Sequence, residues 1–271
     1  MCRFGGWIVA EVLLLDLGSS RLKWQVRSDA GLVREEGRQD WDAAEGTPAL
    51  PRLQPVSVWV VRVGEPEREQ ALRTAIRARY GPVPVVSVRP QAQGPGGLRL
   101  DYDLRQFGAD RYCALLGVLS RTSAPAVVVD AGTAVTLDLL GPDGRHLGGF
   151  ILPGLRLGLG AVNRLFNGEL QAQVAGTLRL DDDGAVDEPS LEPAHDTGKA
   201  LLSGWTRGLA FAVERLGQVS VGGQEPGWWL TGGDAFRLAA LLERPVNLVP
   251  GLVFDGLWCH LRPDCRQDSA P

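Results

Sequence analysis

Two stretches of the chain repeat the same order of apolar and polar positions. Residues 13–26 read LLLDLGSSRLKWQV, and residues 127–140 read VVVDAGTAVTLDLL. Each begins with three large aliphatic residues, passes through Asp-x-Gly and small or hydroxylated residues, and ends in alternating polarity. The aliphatic run predicts a strand buried on both faces, and the alternating run predicts a half-buried strand. The glycine step between them predicts a tight turn.

Both copies continue with the same kinds of element. A turn leads into a third strand and a helical pattern follows, with turns at 28–31 and 141–144 and helices at 67–80 and 156–165. The chain is therefore predicted to be an α/β protein made of a duplicated strand-strand-strand-helix unit. We expect one domain at 1–121 and a second at 122–271.

Further elements are expected after the second copy. Apolar spacing predicts a helix at 197–217, and a terminal helix is expected at 252–261. A strand at 228–230 should pass through Thr231-Gly232-Gly233 into a helix at 235–243, with Asp234 as its N-cap. The acidic stretch 181–188 is predicted to be a solvated loop, and residues 1–11 a loose leader before a strand at 12–17.

Composition narrows the class of protein. The 271 residues are 44% hydrophobic and 22% charged, with a formal net charge of −4, as in an ordinary soluble protein. No overall basic field draws the chain to nucleic acid or to an anionic membrane. Glu11 and Asp16 interrupt the apolar stretch near the N-terminus, so we expect neither a membrane span nor a signal peptide there. Four scattered cysteines without zinc-ligand spacing favour a reducing cytoplasm.

The repeated Asp-x-Gly turn is suited to phosphate chemistry. Backbone N–H groups and hydroxyls of such a turn donate to phosphate oxygens, and its aspartate can hold a hydrated cation. Two such turns, one from each half, predict a nucleoside triphosphate site. The alternative interpretation is that the repeat has only a structural role. The third glycine step, at Gly232-Gly233, is suited to an adenine lying against backbone. Gly198-Lys199 lacks phosphate-loop spacing, and Gly158-x-Gly160 lacks the third glycine of a dinucleotide fingerprint.

Asp110 and Arg111 are the candidates for acceptor chemistry. They follow Phe107-Gly108-Ala109 at the start of a predicted helix that runs through Leu119. A carboxylate beside a guanidinium can take a hydroxyl proton while the guanidinium binds an anionic substrate. The alternative is a helix-capping aspartate with a surface salt bridge.

Five motifs together resemble the sugar-kinase, actin and heat-shock-chaperone ATPase superfamily, and within it the type III pantothenate kinases. The resemblance extends from about Leu13 to Leu257, and its motifs are DLGSS through Lys23, GADR at 108–111, DAGTAVTLD at 130–138, GGFILPG at 148–154 and Thr197-x-x-Ala200-Leu201-x-x-Gly204. It implies two ribonuclease-H-like domains of the actin-like ATPase type, each a mixed five-stranded sheet flanked by helices. It also implies phosphorylation of pantothenate by ATP, the first step towards coenzyme A.

The resemblance assigns roles by position. It implies that ATP phosphates bind to Asp16, Leu17, Gly18, Ser19, Ser20, Arg21, Leu22, Lys23 and Thr133. Asp110 would be the catalytic base, and pantothenate would contact Gly108, Ala109, Asp110, Arg111 and Thr197, the last from the partner subunit of a homodimer. Asp130 would hold a monovalent cation, K⁺ or NH₄⁺, and Mg²⁺ would accompany ATP.

The chain departs from the family pattern near Tyr102. The family places a tyrosine seven residues before the glycine of Gly-x-Asp-Arg, with a proline between them; here Tyr102 stands six residues before Gly108, and Arg105 stands near the expected proline. We assign Tyr102 to the substrate site through an adjusted loop. Ser19 stands where the family often has asparagine and keeps a hydrogen-bonding group.

Two other functions stay open from the sequence alone. One is a nucleotide-binding regulatory protein without catalytic activity, since relatives of the family have been named as accessory factors for transcription. The other is a kinase for a different small hydroxy acid, because the fold does not choose the acceptor. No helix-turn-helix or basic groove-binding face is evident, so no nucleic-acid partner is expected.

Overall fold

The computed structural model describes residues 10–40, 48–62, 66–123, 125–177, 193–218 and 223–262. The chain divides into two compact units. Unit 1 is formed by Met1–Arg121 together with Leu252–Pro271, and unit 2 by Thr122–Gly251. Of the expected leader at 1–11, residues 1–9 lie outside the described residues, and Glu11 is the first residue of a strand instead. The expected acidic loop at 181–188 also lies outside the described residues.

Unit 1 contains a mixed sheet of five strands in the order β3-β2-β1-β4-β5. Strand β2 is antiparallel to both of its neighbours, β1 and β3, and β4 and β5 run parallel to β1. The strands are β1 (Glu11–Leu17), β2 (Arg21–Ser28), β3 (Val33–Asp40), β4 (Ser57–Arg62) and β5 (Val85–Ser87). Leu13, Leu14 and Leu15 are fully buried, so β1 is covered on both faces, as its uninterrupted aliphatic run predicted.

Unit 2 repeats this arrangement strand for strand, in the order β10-β9-β6-β7-β8. Again the first three strands form an antiparallel meander, and the last two run parallel to the first. The strands are β6 (Ala126–Ala131), β7 (Ala134–Leu140), β8 (His146–Pro153), β9 (Gly227–Thr231) and β10 (Asn247–Leu248). The predicted duplication and the two five-stranded sheets are confirmed.

Helices flank both sheets. They are α1 (Pro66–Tyr80), α2 (Ala109–Leu119), α3 (Leu155–Asn163), α4 (Gly168–Thr177), α5 (Thr197–Gly217), α6 (Ala235–Ala239) and α7 (Leu252–Leu261). The predicted bounds of α5 and α7 agree with the structure. Among the described residues, none of these helices is both long and apolar enough to cross a membrane.

Helix α6 is shorter than predicted, ending at Ala239 instead of residue 243. Beyond it the N–H groups of Leu241 and Leu242 bond to carbonyls three residues back, which tightens the chain into turns. Asp234 occupies the N-cap position, but its side chain makes no capping bond. Its Oδ1 instead accepts from Arg237 Nη1 at 2.7 Å, so the expected N-cap role of Asp234 is corrected to an ion pair.

The C-terminal helix belongs to unit 1, which changes the expected second domain of 122–271. Helix α7 packs on α2 with their backbones in contact. A Cβ on Gly256 would lie 1.7 Å from the carbonyl oxygen of Cys113, and one on Gly117 would lie 2.3 Å from that of Leu252. Glycine at both positions therefore permits an approach that no side chain would allow, and this packing ties the last helix to the first half of the chain.

Asp255 of α7 adds a buried ionic connection within unit 1. Its Oδ1 lies 2.5 Å from Arg27 Nη2, and its Oδ2 lies 2.6 Å from Arg121 Nη2. The Arg27 side chain is only 3% exposed, so its charge depends on this partner. The helix is thereby held to β2 as well as to α2.

Candidate active site

The first Asp-x-Gly turn, here called the first phosphate turn because it is predicted to bind phosphate, joins β1 to β2 of unit 1 and contains Asp16 to Ser20. Asp16 pairs with Lys23 across the two strands, with Lys23 Nζ 3.9 Å from Asp16 Oδ2. The N–H of Gly18 donates to the carbonyl of Arg21 at 3.0 Å and closes the turn. Burial raises the pKa of Asp16, and the charge of Lys23 opposes that rise. A buried carboxylate with a raised pKa gains from a nearby cation, which suits a position beside a metal-bound nucleotide.

The eight residues in and after the first turn that are assigned to ATP, 16–23, differ in their exposure. Leu17 and Leu22 are buried to 1% exposure and pack in the core of unit 1, so any contact they make to ATP comes from their backbone. Ser19 and Ser20 at the tip of the turn are exposed. Arg21 pairs with Asp40 of β3 at 2.5 Å, whereas Lys23 lies 3.9 Å from Asp16.

Asp110 and Arg111 begin helix α2, with Gly108 at the N-cap position. Asp110 Oδ1 accepts the backbone N–H of Arg111 at 2.8 Å. That donor and the helix N-terminus both stabilise a negative charge on the carboxylate. A Cβ on Gly108 would lie 2.4 Å from the same Oδ1, so the glycine leaves the space into which the carboxylate folds.

The guanidinium of Arg111 lies against two aromatic rings. Its Cζ is 4.4 Å from the centre of the Phe107 ring and 5.7 Å from that of Tyr102. The two rings contact each other edge to face, with centres 5.1 Å apart. The altered spacing before Gly108 therefore still brings Tyr102 to Arg111. Phe107 was not assigned a role from the sequence, although its place directly before the Gly-Ala-Asp-Arg motif was a signal for one.

Asp110 and Asp16 both affect the pKa of one buried thiol, that of Cys113. Burial raises the pKa of Cys113, and the charges of Asp110 and then Asp16 raise it further. Unit 1 therefore contains both the turn that is suited to phosphate and the carboxylate that is suited to proton transfer.

The second phosphate turn lies at one edge of the sheet of unit 2. Strands β6 and β9 run parallel, and Asp130 is aligned with Thr231. The side chain of Asp130 reaches Gly232, where a Cβ would lie 2.5 Å from Asp130 Oδ1 and where φ is +98°. Glycine is thus required at 232 both for its backbone angle and for its contact with the carboxylate. The second phosphate turn and the glycine step therefore lie side by side, because each follows one of two neighbouring parallel strands, β6 and β9.

Thr133 lies exposed at the tip of this turn. Its carbonyl accepts the N–H of Gly154 at 3.0 Å, and a Cβ on Gly154 would lie 2.2 Å from the carbonyl oxygen of Gly132. The segment after β8 therefore supports the turn through backbone contacts. Thr197 is exposed at the first position of α5, which Asp196 caps by accepting the N–H of Lys199 at 2.8 Å. Asp130, Thr133 and Thr197 belong to unit 2, whereas the other assigned residues belong to unit 1.

The carboxylates available in the two turns are better suited to a cation bound together with a nucleotide than to a metal ion held by the protein alone. Within the described ranges, no three His, Cys, Asp or Glu side chains group closely enough to hold a metal ion. Asp16 and Asp130 each offer a single carboxylate beside a glycine turn. Mg²⁺ in nucleotide sites keeps several waters and phosphate oxygens and needs only one or two carboxylates. One carboxylate per turn satisfies that requirement.

Comparison with known proteins decides the family. A model of the type III pantothenate kinase family matches residues 12–218. The chain belongs to the type III pantothenate kinase family. The type III pantothenate kinase of Halorhodospira halophila is 34% identical over 268 residues, covering 94% of this chain and 99% of that protein. The type III pantothenate kinase of Acidovorax ebreus is 36% identical over 262 residues, covering 90% and 94%.

Solved structures support the actin-like ATPase fold of this type III pantothenate kinase family member. The activator of the 2-hydroxyisocaproyl-CoA dehydratase from Clostridium difficile, with bound ADPNP, matches with a TM-score of 0.50 at 14% identity, covering 96% of this chain and 98% of that one. The ethanolamine utilization protein EutJ from Carboxydothermus hydrogenoformans matches with a TM-score of 0.53 at 11% identity, covering 94% and 91%. At such identities the likeness extends to the fold alone.

Proposed function

We propose that this protein transfers the γ-phosphoryl group of ATP to the terminal hydroxyl of pantothenate and forms 4′-phosphopantothenate, the first step of coenzyme A biosynthesis. Membership of the type III pantothenate kinase family supports the reaction. The observation that carries it in the structure is the grouping of Asp110, Arg111 and Tyr102 in the unit that holds the first phosphate turn.

Asp110 is the base in this proposal. The bond that forms joins the pantothenate hydroxyl oxygen to the γ-phosphorus, the bond that breaks joins that phosphorus to the β–γ bridging oxygen, and the hydroxyl proton passes to Asp110. The N–H of Arg111 holds the carboxylate in one orientation, 2.8 Å away. A fixed and ionised carboxylate is what general base catalysis requires.

Arg111 binds the carboxylate of pantothenate, and Gly108 and Ala109 contribute backbone contacts. The Arg111 residue is 5% exposed and lies over the ring of Phe107, which limits its movement. A guanidinium held against an aromatic ring loses little freedom when it takes a carboxylate. Tyr102, which is 42% exposed, supplies the outer wall of this substrate site.

ATP phosphates are bound by Asp16 to Lys23 and by Thr133, the positions that match the family's two phosphate motifs. Backbone N–H groups and hydroxyls of the turns donate to phosphate oxygens. Mg²⁺ with ATP neutralises phosphate charge when it is bound, and Asp16 is the carboxylate that would hold it. Asp130 would hold the monovalent cation, K⁺ or NH₄⁺. The glycine step at Gly232 would lie against the adenosine.

A homodimer in the cytoplasm completes the proposal, with Thr197 contributed to the substrate site by the partner subunit. Large apolar side chains stand exposed on β8, just after α3 and on α5 of unit 2, and they support a protein contact there: Ile151 is 62% exposed, Leu165 is 78% exposed and Phe211 is 72% exposed. Cys113 and Cys259 are free thiols, in keeping with a reducing compartment. Light scattering on the purified protein tests the dimer: a monomer at micromolar concentration contradicts it.

Asp110→Asn tests the assigned base. The amide keeps the size of the carboxylate but cannot take a proton, so kcat should fall by about a hundredfold or more. ATP binding, measured by calorimetry, should stay within twofold. Asp29→Asn, an exposed turn position, serves as the control and should keep full activity. Unchanged turnover of the Asp110 variant contradicts the assignment.

A coupled assay with pantothenate, with and without K⁺, separates the remaining functions. ATP binding without turnover of pantothenate or any other hydroxy acid would favour the regulatory alternative, which no observation in the fold supports. Turnover of another small hydroxy acid in preference to pantothenate would keep the kinase and change its acceptor. Turnover of pantothenate that needs K⁺ or NH₄⁺ would favour a monovalent cation at Asp130.

A further inference from the structure

Arg68 of helix α1 reaches the first phosphate turn. Its Nη1 donates a hydrogen bond to the carbonyl oxygen of Ser19, which lies 49 positions earlier in the chain. A trans peptide holds its C=O and its N–H antiparallel, so fixing the Ser19 carbonyl also fixes the direction of the Ser20 N–H. This is one of the backbone donors that a phosphate would use. The orientation of a phosphate-binding peptide therefore depends on a side chain outside every motif of the sequence.

The helix that carries Arg68 is anchored at the same end. Glu69 Oε2 lies 3.0 Å from Arg62 Nε at the end of β4, and Glu69 Oε1 accepts from Ser87 Oγ of β5 at 2.8 Å. Arg73, one turn further along α1, adds a bond to the same Oε1 at 2.9 Å. Burial by itself would raise the pKa of Glu69, but the bonds from Ser87 and Arg73 and the charges of Arg73 and Arg62 outweigh it and lower that pKa. The first turn of α1 is thus tied to two strands of the sheet.

Arg68 also changes the charge at the turn. Lys23 lies 3.9 Å from Asp16, and these opposite charges largely offset each other. The guanidinium of Arg68 adds a positive charge beside Ser19, which is exposed. A positive charge at a turn whose two serine residues, Ser19 and Ser20, are exposed favours an anion of high charge, such as a triphosphate.

We propose that Arg68 is a positioning residue for ATP, which orients the Ser19–Ser20 peptide of the first phosphate turn and adds positive charge to that turn. The inference rests on the proposed kinase function. It predicts a selective effect, because Arg68 acts on the nucleotide and not on the hydroxy acid. Arg68→Ala should raise KM for ATP about tenfold, as the loss of one charge-assisted hydrogen bond implies, and leave KM for pantothenate within twofold.

Two further variants separate positioning from a general effect on the helix. Arg68→Lys keeps the charge but replaces the planar donor with a point charge on a flexible stem, so it should restore part of the affinity for ATP. Arg77→Ala removes an exposed arginine from the last turn of the same helix and should change neither KM. All three variants should melt within about 2 °C of the parent protein, since each change is at a partly or fully exposed side chain.

Calorimetry with MgATP accompanies the kinetics and keeps the two proposals distinguishable. A parent protein that binds ATP but does not phosphorylate pantothenate contradicts the proposed function, while the binding constants still decide the role of Arg68. ATP affinity and KM of Arg68→Ala within twofold of the parent would overturn the inference, as would an equal loss in Arg77→Ala. A parent protein that binds no ATP overturns both.

Discussion

Gly108→Ala is a change of one methyl group that should separate catalysis from folding. At this N-cap position φ is −62° and ψ is 137°, which alanine adopts without strain. The added Cβ would lie 2.4 Å from Asp110 Oδ1, whereas Cβ contacts below 3.0 Å are essentially never seen. The next atom it would approach, Asp110 Cγ, is 3.5 Å away. The clash is therefore confined to the carboxylate of the proposed base.

The size of the effect follows from that geometry. The carboxylate oxygen must retreat by roughly 0.6 Å or more to restore a permitted contact. It can do so by rotation of its own side chain, so the fold is spared, but it then leaves the N–H of Arg111 that held it. A misplacement on the order of 1 Å costs an enzyme about a hundredfold in rate. We expect kcat to fall by about tenfold to a hundredfold and unfolding free energy to change by less than about 1 kcal/mol.

Steady-state kinetics and urea unfolding measure the two quantities on the same samples. Gly176→Ala is the matched control, since a Cβ there meets nothing within 4 Å and both parameters should hold. The expected signature is a low kcat, a KM for ATP within twofold and an unchanged unfolding midpoint. A Gly108→Ala enzyme with kcat within threefold of the parent would refute the claim that this carboxylate position sets the rate.

Two other predictions concern the stability of unit 1. Asp255→Ala leaves the buried charge of Arg27 unpaired and should cost about 3–5 kcal/mol in urea unfolding, while Asp29→Ala at an exposed turn should cost almost nothing; equal losses would contradict a special role for the buried pair. Burial lowers the pKa of His260, so the unfolded chain binds a proton more readily than the folded one and stability should decline as the pH falls below about 6.5. Unfolding midpoints between pH 7.5 and 5 should show a flatter decline in His260→Gln, and identical slopes would refute the assignment.

Local pattern predicted much of the fold because each half repeats its signals. The aliphatic run before Asp16 and the one before Asp130 each predicted a strand buried on both faces, and the alternation after each turn predicted its antiparallel neighbour. Helix α7 was predicted with its observed bounds. Its packing against α2 was not predicted. That contact depends on glycines at 117 and 256, where the absence of a side chain lets the two backbones approach.

The candidate site shows the same division. The Asp110-Arg111 pair was evident because a motif places both residues at one helix start. Phe107 beside Arg111 and Arg68 beside Ser19 were not assigned, since their roles come from contacts. Arg68 in particular stands in a run of charged residues that is typical of a solvated helix face. Its acceptor is a backbone carbonyl 49 positions away, and no side-chain pattern records such an acceptor.

The position of helix α7 in the chain determines the order in which the two units can be completed during synthesis. Unit 2 is one continuous segment, Thr122–Gly251, and its whole sequence has been synthesised before the first residue of α7 is added. Unit 1, although its strands come first, lacks the helix that covers α2 until Leu252–Leu261 has left the ribosome. The half translated first is therefore the half completed last, the reverse of the usual order for successive domains. A chain truncated before Leu252 would keep the whole sequence of unit 2 but would lack α7, the helix that packs on α2 and so supports Asp110.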